Sequence, residues 1–176
     1  MAEKIIGHTL GFNGLHTLKL NDTPGTDYIM AHPSGLVGIT PEGGFAVKLI
    51  NDTAAASVKG TIVDLSTTVT NGFDINDADG PQPIGVVYEN GIADGSYCWV
   101  VVYGKCQVLL EDTTASTVGY WVRTSITQAG RADITNAAPP GGGIPELDRH
   151  MNECGHCLET KAAGIDVLAY IIFHSN

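Results

Sequence analysis

From Gly43 onward the chain alternates short apolar runs with turn formers. That rhythm predicts strands. "GGFAVKLINDT" is a strand closed by the turn pair Asn51-Asp52, "KGTIVDLSTTV" is rich in β-branched residues, and "NGFDI" opens on Asn-Gly. "PIGVVYENGIADGSYCWVVVYGKCQVLLED" holds two or three strands, punctuated at Asn90-Gly91, Asp94-Gly95 and Gly104-Lys105. "GYWVRTSITQAGRADI" reads as a hairpin around Gln128-Ala129-Gly130, and "VLAYIIFHS" as a closing strand. Short strands at this spacing predict an all-β chain, a compact antiparallel barrel or sandwich, and exclude βαβ units.

Two regions break the pattern. Residues 1–40 mix single apolar residues with Gly, Pro and His, without sustained periodicity. Ile5, Ile6, Leu10, Phe12 and Leu15 would each cost very roughly 1.5 to 3 kcal/mol to leave in water. The segment is therefore expected to be an N-terminal arm for assembly, with these residues as contact candidates and residues 41–176 as the body. The second break is "GGGIPELDRHMNECG". Pro145 suits a first helical position, Glu146 and Asp148 a first turn, and Gly155 a helix stop. Leu147, Met151 and Cys154 recur at i, i+4, i+7, so a short inserted helix is expected near 145–154. "LKLNDT" and "VKLINDT" share a strand-ending turn and do not make a repeat array.

Composition narrows the reading. The 176 residues include 22 glycines and 8 prolines, and the 43% hydrophobic content with 16% charged fits one folded domain. Nine basic against nineteen acidic residues give a net charge of −10, which opposes nucleic acid and anionic lipid. No run reaches the ~18 to 20 apolar residues that span a bilayer. The N-terminus lacks the apolar stretch of a signal peptide, so synthesis without export and free thiols are expected.

The densest candidate chemistry is "HMNECGHCLE", with one C-x-x-C and two histidines. A zinc site would draw on His150, Cys154, His156 and Cys157. The other cysteines, Cys98 and Cys106, would lie ~26 Å apart on one strand, at about 3.3 Å per residue. That is beyond the ~7 Å limit for a disulfide. Buried free cysteines account for the cluster without a metal, and a thioredoxin-type motif would need a long following helix. "DINDADG" is a partial match to a calcium loop but lacks the oxygen ligand at Ala78, so an acidic turn is expected. No nucleophile elbow or phosphate loop is present, and no enzyme activity and no cofactor are expected. Tyr97, Trp99, Tyr103, Tyr120 and Trp121 cluster in mid-chain strands, where cross-strand packing competes with a sugar-binding face.

Lys59-Gly60, Ile84-Gly85-Val86, Gly95, Val100 to Val102, Gly104, Gly119, Gly130 and Gly164 stand in an order that resembles the tailed-phage capsid cement, or head decoration, family. The resemblance covers residues 43 to 176. It implies a compact barrel-like domain on the outside of an icosahedral head, stapling neighbouring major capsid subunits, made in the host bacterial cytoplasm. It also implies self-association on the lattice, with a trimer at a local three-fold as one form. Neither catalysis, cofactor, nucleic acid nor membrane is implied. A fibre or adhesin module reading host glycan is the alternative, and a small zinc protein the third.

Overall fold

The computed structural model describes residues 30–31, 35–136 and 152–174. They form an 11-stranded sheet. Its strands are β1 (Met30–Ala31), β2 (Val37–Ile39), β3 (Gly44–Asn51), β4 (Ile62–Leu65), β5 (Gly72–Ile75), β6 (Gly85–Val87), β7 (Tyr97–Leu109), β8 (Trp121–Thr124), β9 (Ala132–Thr135), β10 (Glu153–Cys157) and β11 (Leu168–Phe173). Every pairing is antiparallel except β3 with β5. The expected all-β architecture is therefore what the residues build.

β7 organises the sheet. Its 13 residues run unbroken through Gly104-Lys105, where the sequence marked a break. Tyr103 opposes Phe45 while Val101 opposes Ala46, so Val102 is the extra residue of a β-bulge. Gly104 absorbs the distortion at φ +90°. The bulge lets one strand bend and serve two groups of partners. Its first half pairs with β3 and β6, and its second half pairs with β11 from Gly104↔Phe173 to Leu109↔Leu168. The pairings β3–β5, β5–β4, β4–β6, β6–β7 and β7–β3 close a circuit. Outside that circuit, β11 continues through β10 and β8 to β9.

Two cores result. Val63, Phe73, Val87, Cys98 and Val100 form one cluster, with Leu49 packed against it, so each strand of the circuit contributes to the circuit's inside. Alternate residues on the same strands, Ile62, Val86 and Val101, point the other way. They meet Val122, Cys154, Ala169 and Phe173 from the outer strands in a larger cluster. Burying each large apolar side chain contributes on the order of 1.5 to 3 kcal/mol.

The short helix near 145–154 needs correction. Among the described residues there is no helix, and the end of that segment, Glu153 and Cys154, is strand β10. Residues 145–151 lie outside the described residues. The i, i+4, i+7 spacing that suggested a helix rested on three apolar positions. β10 instead pairs with β8 on one side and β11 on the other, and ladder hydrogen bonds to both neighbours outweigh so short a local pattern. Met30 and Ala31 pair with Ile39 and Gly38, so the expected arm's last part joins the sheet. Its contact candidates Ile5, Ile6, Leu10, Phe12 and Leu15 lie outside the described residues.

Candidate functional site

The Cys/His segment becomes β10, and a second bulge decides what it presents. Glu153 opposes Arg123, Gly155 opposes Val122 and His156 opposes Trp121, which leaves Cys154 as the extra residue. In a regular strand, residues three apart face opposite ways. The bulge shifts that parity. Cys154 and Cys157 therefore both turn into the larger core, at 0% and 2% exposure. Glu153 and His156 both turn to the opposite face. Gly155 makes this possible, because at φ +141° a Cβ there would stand 1.9 Å from the Ile172 carbonyl oxygen. Only glycine fits.

On that opposite face, His174, the residue after β11, reaches the same place. The Glu153 carboxylate Oε1 lies 3.6 Å from His174 Nε2 and 4.0 Å from His156 Nε2. One ligand atom from each of the three residues falls within 4.8 Å of the others. The His156 ring rests on Trp121, with centroids 4.3 Å apart, and His174 stands 5.7 Å from His156. Glu153 is buried at 5% exposure, whereas the two histidines keep solvent access. Arg123, opposite Glu153 in register, turns its guanidinium to Asp133, with Nε donating at 2.9 Å.

The alternative zinc set drawn from sequence, His150, Cys154, His156 and Cys157, is divided by this geometry. Cys154 and Cys157 enter the core away from the His156 ring, and His150 lies outside the described residues. All four cysteines are free and buried. Burial pushes the Cys98 thiol up to about 11, and raises Cys106, Cys154 and Cys157 as well. Such thiols are inert at neutral pH.

The other sequence candidates are also placed. Trp99 is buried at 8% exposure, with the Lys48 ammonium 5.1 Å from its ring centroid. Tyr97 and Tyr103 are exposed. In "DINDADG", the Asn76 amide donates to Asp64 at 2.7 Å and the Asp79 carboxylate accepts from Asn152 at 2.8 Å. The segment ends strand β5 and continues as a turn docked on β8 through Thr124, whose hydroxyl donates to the Gly80 carbonyl. Burial raises the Asp64 carboxyl above its ordinary value, with Asp77 and Asp74 adding repulsion.

One apolar feature emerged only from the register. Ile39 opposes Phe45 and Phe45 opposes Tyr103, so three exposed large side chains form a row across β2, β3 and β7. Their exposures are 45%, 43% and 62%. On β3, Phe45, Val47 and Leu49 share a face, and Leu49 packs inside the circuit. The row thus continues the circuit's inner face beyond its end.

No protein-family model matches the chain, and no curated protein matches it in sequence. Among solved structures it is similar to the head fiber gp8.5 N base of bacteriophage phi29, at 16% identity and a TM-score of 0.47. The match covers 73% of this chain and 92% of that chain.

Sequence reasoning placed His156 in a candidate site but missed Glu153 and His174 as its neighbours. His174 is 18 positions from His156 and meets it only through the β10–β11 pairing. Glu153 had a readable signal. A glycine inside a strand pattern marks a bulge, and a bulge at "ECGHC" makes Glu-x-x-His a same-face pair.

Proposed function

We propose that the chain is a structural protein of a tailed-phage virion, a cement or decoration protein on the outside of the icosahedral head. There it binds the major capsid protein and stabilises contacts between capsid subunits. In this reading the closed circuit is a small barrel, and no catalysis is assigned. One observation carries the proposal: the pieces of sequence that resemble the cement family meet in space. The Gly60 N–H donates to the Val87 carbonyl and the Leu109 N–H to the Gly60 carbonyl, both at 2.8 Å. Val86 pairs with Val101. A Cβ at Gly60 would lie 2.8 Å from Leu109 N, and one at Gly85 would lie 2.6 Å from the Val101 carbonyl. The Lys-Gly, Ile-Gly-Val and Val-Val-Val fragments thus form one packed unit that leaves no room for a side chain at Gly60 or Gly85.

The exposed row Ile39–Phe45–Tyr103 is the face assigned to the capsid. Met30 pairs with Ile39, the first residue of this row. Arm and row together would cover a subunit seam, and many copies on one head add by multivalency. The chain's overall charge of −10 keeps decorated particles apart. The glycan reading has less support, because Trp99 is buried and Trp121 rests on His156.

Mass spectrometry of purified particles tests the proposal. The chain is expected at high copy number, in fixed ratio to the major capsid protein, and its absence overturns the assignment. Phe45→Asp and Tyr103→Ser are expected to abolish sedimentation with undecorated heads while leaving the circular dichroism spectrum unchanged. Normal binding by both variants removes the row from the interface.

A further inference from the structure

We infer that Glu153, His156 and His174 form a binding site for a divalent transition metal, with zinc the best match. The site does not depend on the virion reading and makes no use of the cysteines. Two imidazoles and one carboxylate suit zinc and neighbouring first-row metals rather than calcium or magnesium. Ligands of a tetrahedral zinc, bound at about 2.0 to 2.1 Å, sit about 3.4 Å from one another. The carboxylate oxygen already lies 3.6 Å and 4.0 Å from the two Nε2 atoms. Side-chain rotations that close the carboxylate gaps by a few tenths of an ångström, and that bring the two imidazole nitrogens together from within 4.8 Å, complete three ligands. Both rings keep partial solvent access, at 38% and 28% exposure.

Three features hold the site in place, and none depends on a metal. The bulge at Cys154 brings Glu153 and His156 to one face, and the close approach of Ile172 fixes Gly155 as the residue that permits it. Trp121 supports the His156 ring. The carboxylate is buried and belongs to a strand paired on both sides. Two neutral imidazoles and one carboxylate place a single negative charge around a dication. The nearest cationic side chain in register, Arg123, is drawn off by Asp133. A bound metal would tie β10 to the end of β11, close to β8.

The test uses the full-length chain without a histidine tag, stripped with chelator and titrated with zinc chloride by calorimetry. One zinc per chain is expected. His174→Ala and His156→Gln should each lower affinity about 100-fold, since loss of even an outer-shell partner commonly costs 10 to 100-fold. Both positions are partly exposed, and circular dichroism checks that the variants stay folded. Zinc should raise the melting temperature of the wild type and leave that of His174→Ala unchanged. Cobalt-loaded protein should show no thiolate charge-transfer absorption. The proposal is overturned by folded wild-type protein that takes up no zinc. It is equally overturned by a thiolate band, or by binding lost in Cys157→Ser yet kept in His174→Ala, either of which assigns the metal to the cysteines.

Discussion

The circuit and the outer strands β8 to β11 use the same chain chemistry in different ways. In the circuit, side chains alternate in and out with period two up to the bulge at Val102, which lies beyond the inward residues Cys98 and Val100, and each strand gives its inward residues to one cluster. In the outer strands, β10 breaks that period with a bulge, and both of its cysteines go inward while Glu153 and His156 go outward. Regular alternation builds a closed, filled interior. An interrupted strand builds a core on one side and a polar constellation on the other. The contrast teaches that a strand's reactive residues are assigned to faces by register, and a single extra residue reassigns them all.

The strongest way to break the comparison is Gly155→Ala. A Cβ cannot be accommodated 1.9 Å from the Ile172 oxygen. The outer strands should come apart, with a loss of ~4 kcal/mol or more or failure to recover folded protein, read by urea denaturation. Next come the two fully buried phenylalanines, Phe73 in the circuit and Phe173 in the outer cluster. Each change to Ala is expected to cost about 3 to 5 kcal/mol. Tryptophan fluorescence and circular dichroism should still follow one transition, because both clusters share β7.

The cysteines sharpen the comparison more gently. Cys106→Ser places a hydroxyl in the outer cluster and should cost about 1 to 3 kcal/mol. Native protein should react slowly with a thiol reagent near neutral pH, and reaction at Cys98 should rise as pH climbs toward about 11, where its thiolate forms. Denatured protein should expose all four thiols. Rapid labelling of the native state would contradict the burial.

The smallest effect belongs to Asp64. Its folded carboxyl titrates above the ordinary value because of burial. The ionised form therefore costs stability at neutral pH, and this cost fades as pH falls through the folded value. Asp64→Asn keeps an acceptor for the Asn76 amide and should stabilise by less than about 1 kcal/mol. The gap from wild type should narrow in acid. Thermal melts at two pH values read this directly.

Most strands were legible because their turns were written in Gly and Asn. Asn71-Gly72 opens β5, and Gly130 sits at the β8–β9 turn. The path through Gly104 was not legible. A glycine at positive φ signals a turn locally, and only the partners on either side of β7 convert it into a bend within one strand. Glu153–Cys157 misled for a related reason. Leu147, Met151 and Cys154 imitate a helix face in the sequence, while the pairing that makes Glu153–Cys157 a strand comes from residues far away in sequence. The site showed the same division, since His156 stood out in the sequence and His174 became its neighbour only through the fold.

Strand β7 has a consequence for the molecule as a whole. Val100 belongs to one cluster, Val108 to the other, and Tyr97–Leu109 is a single uninterrupted strand between them. Neither half can be excised as a smaller working module, and a proteolytic nick inside this stretch would dismantle both at once.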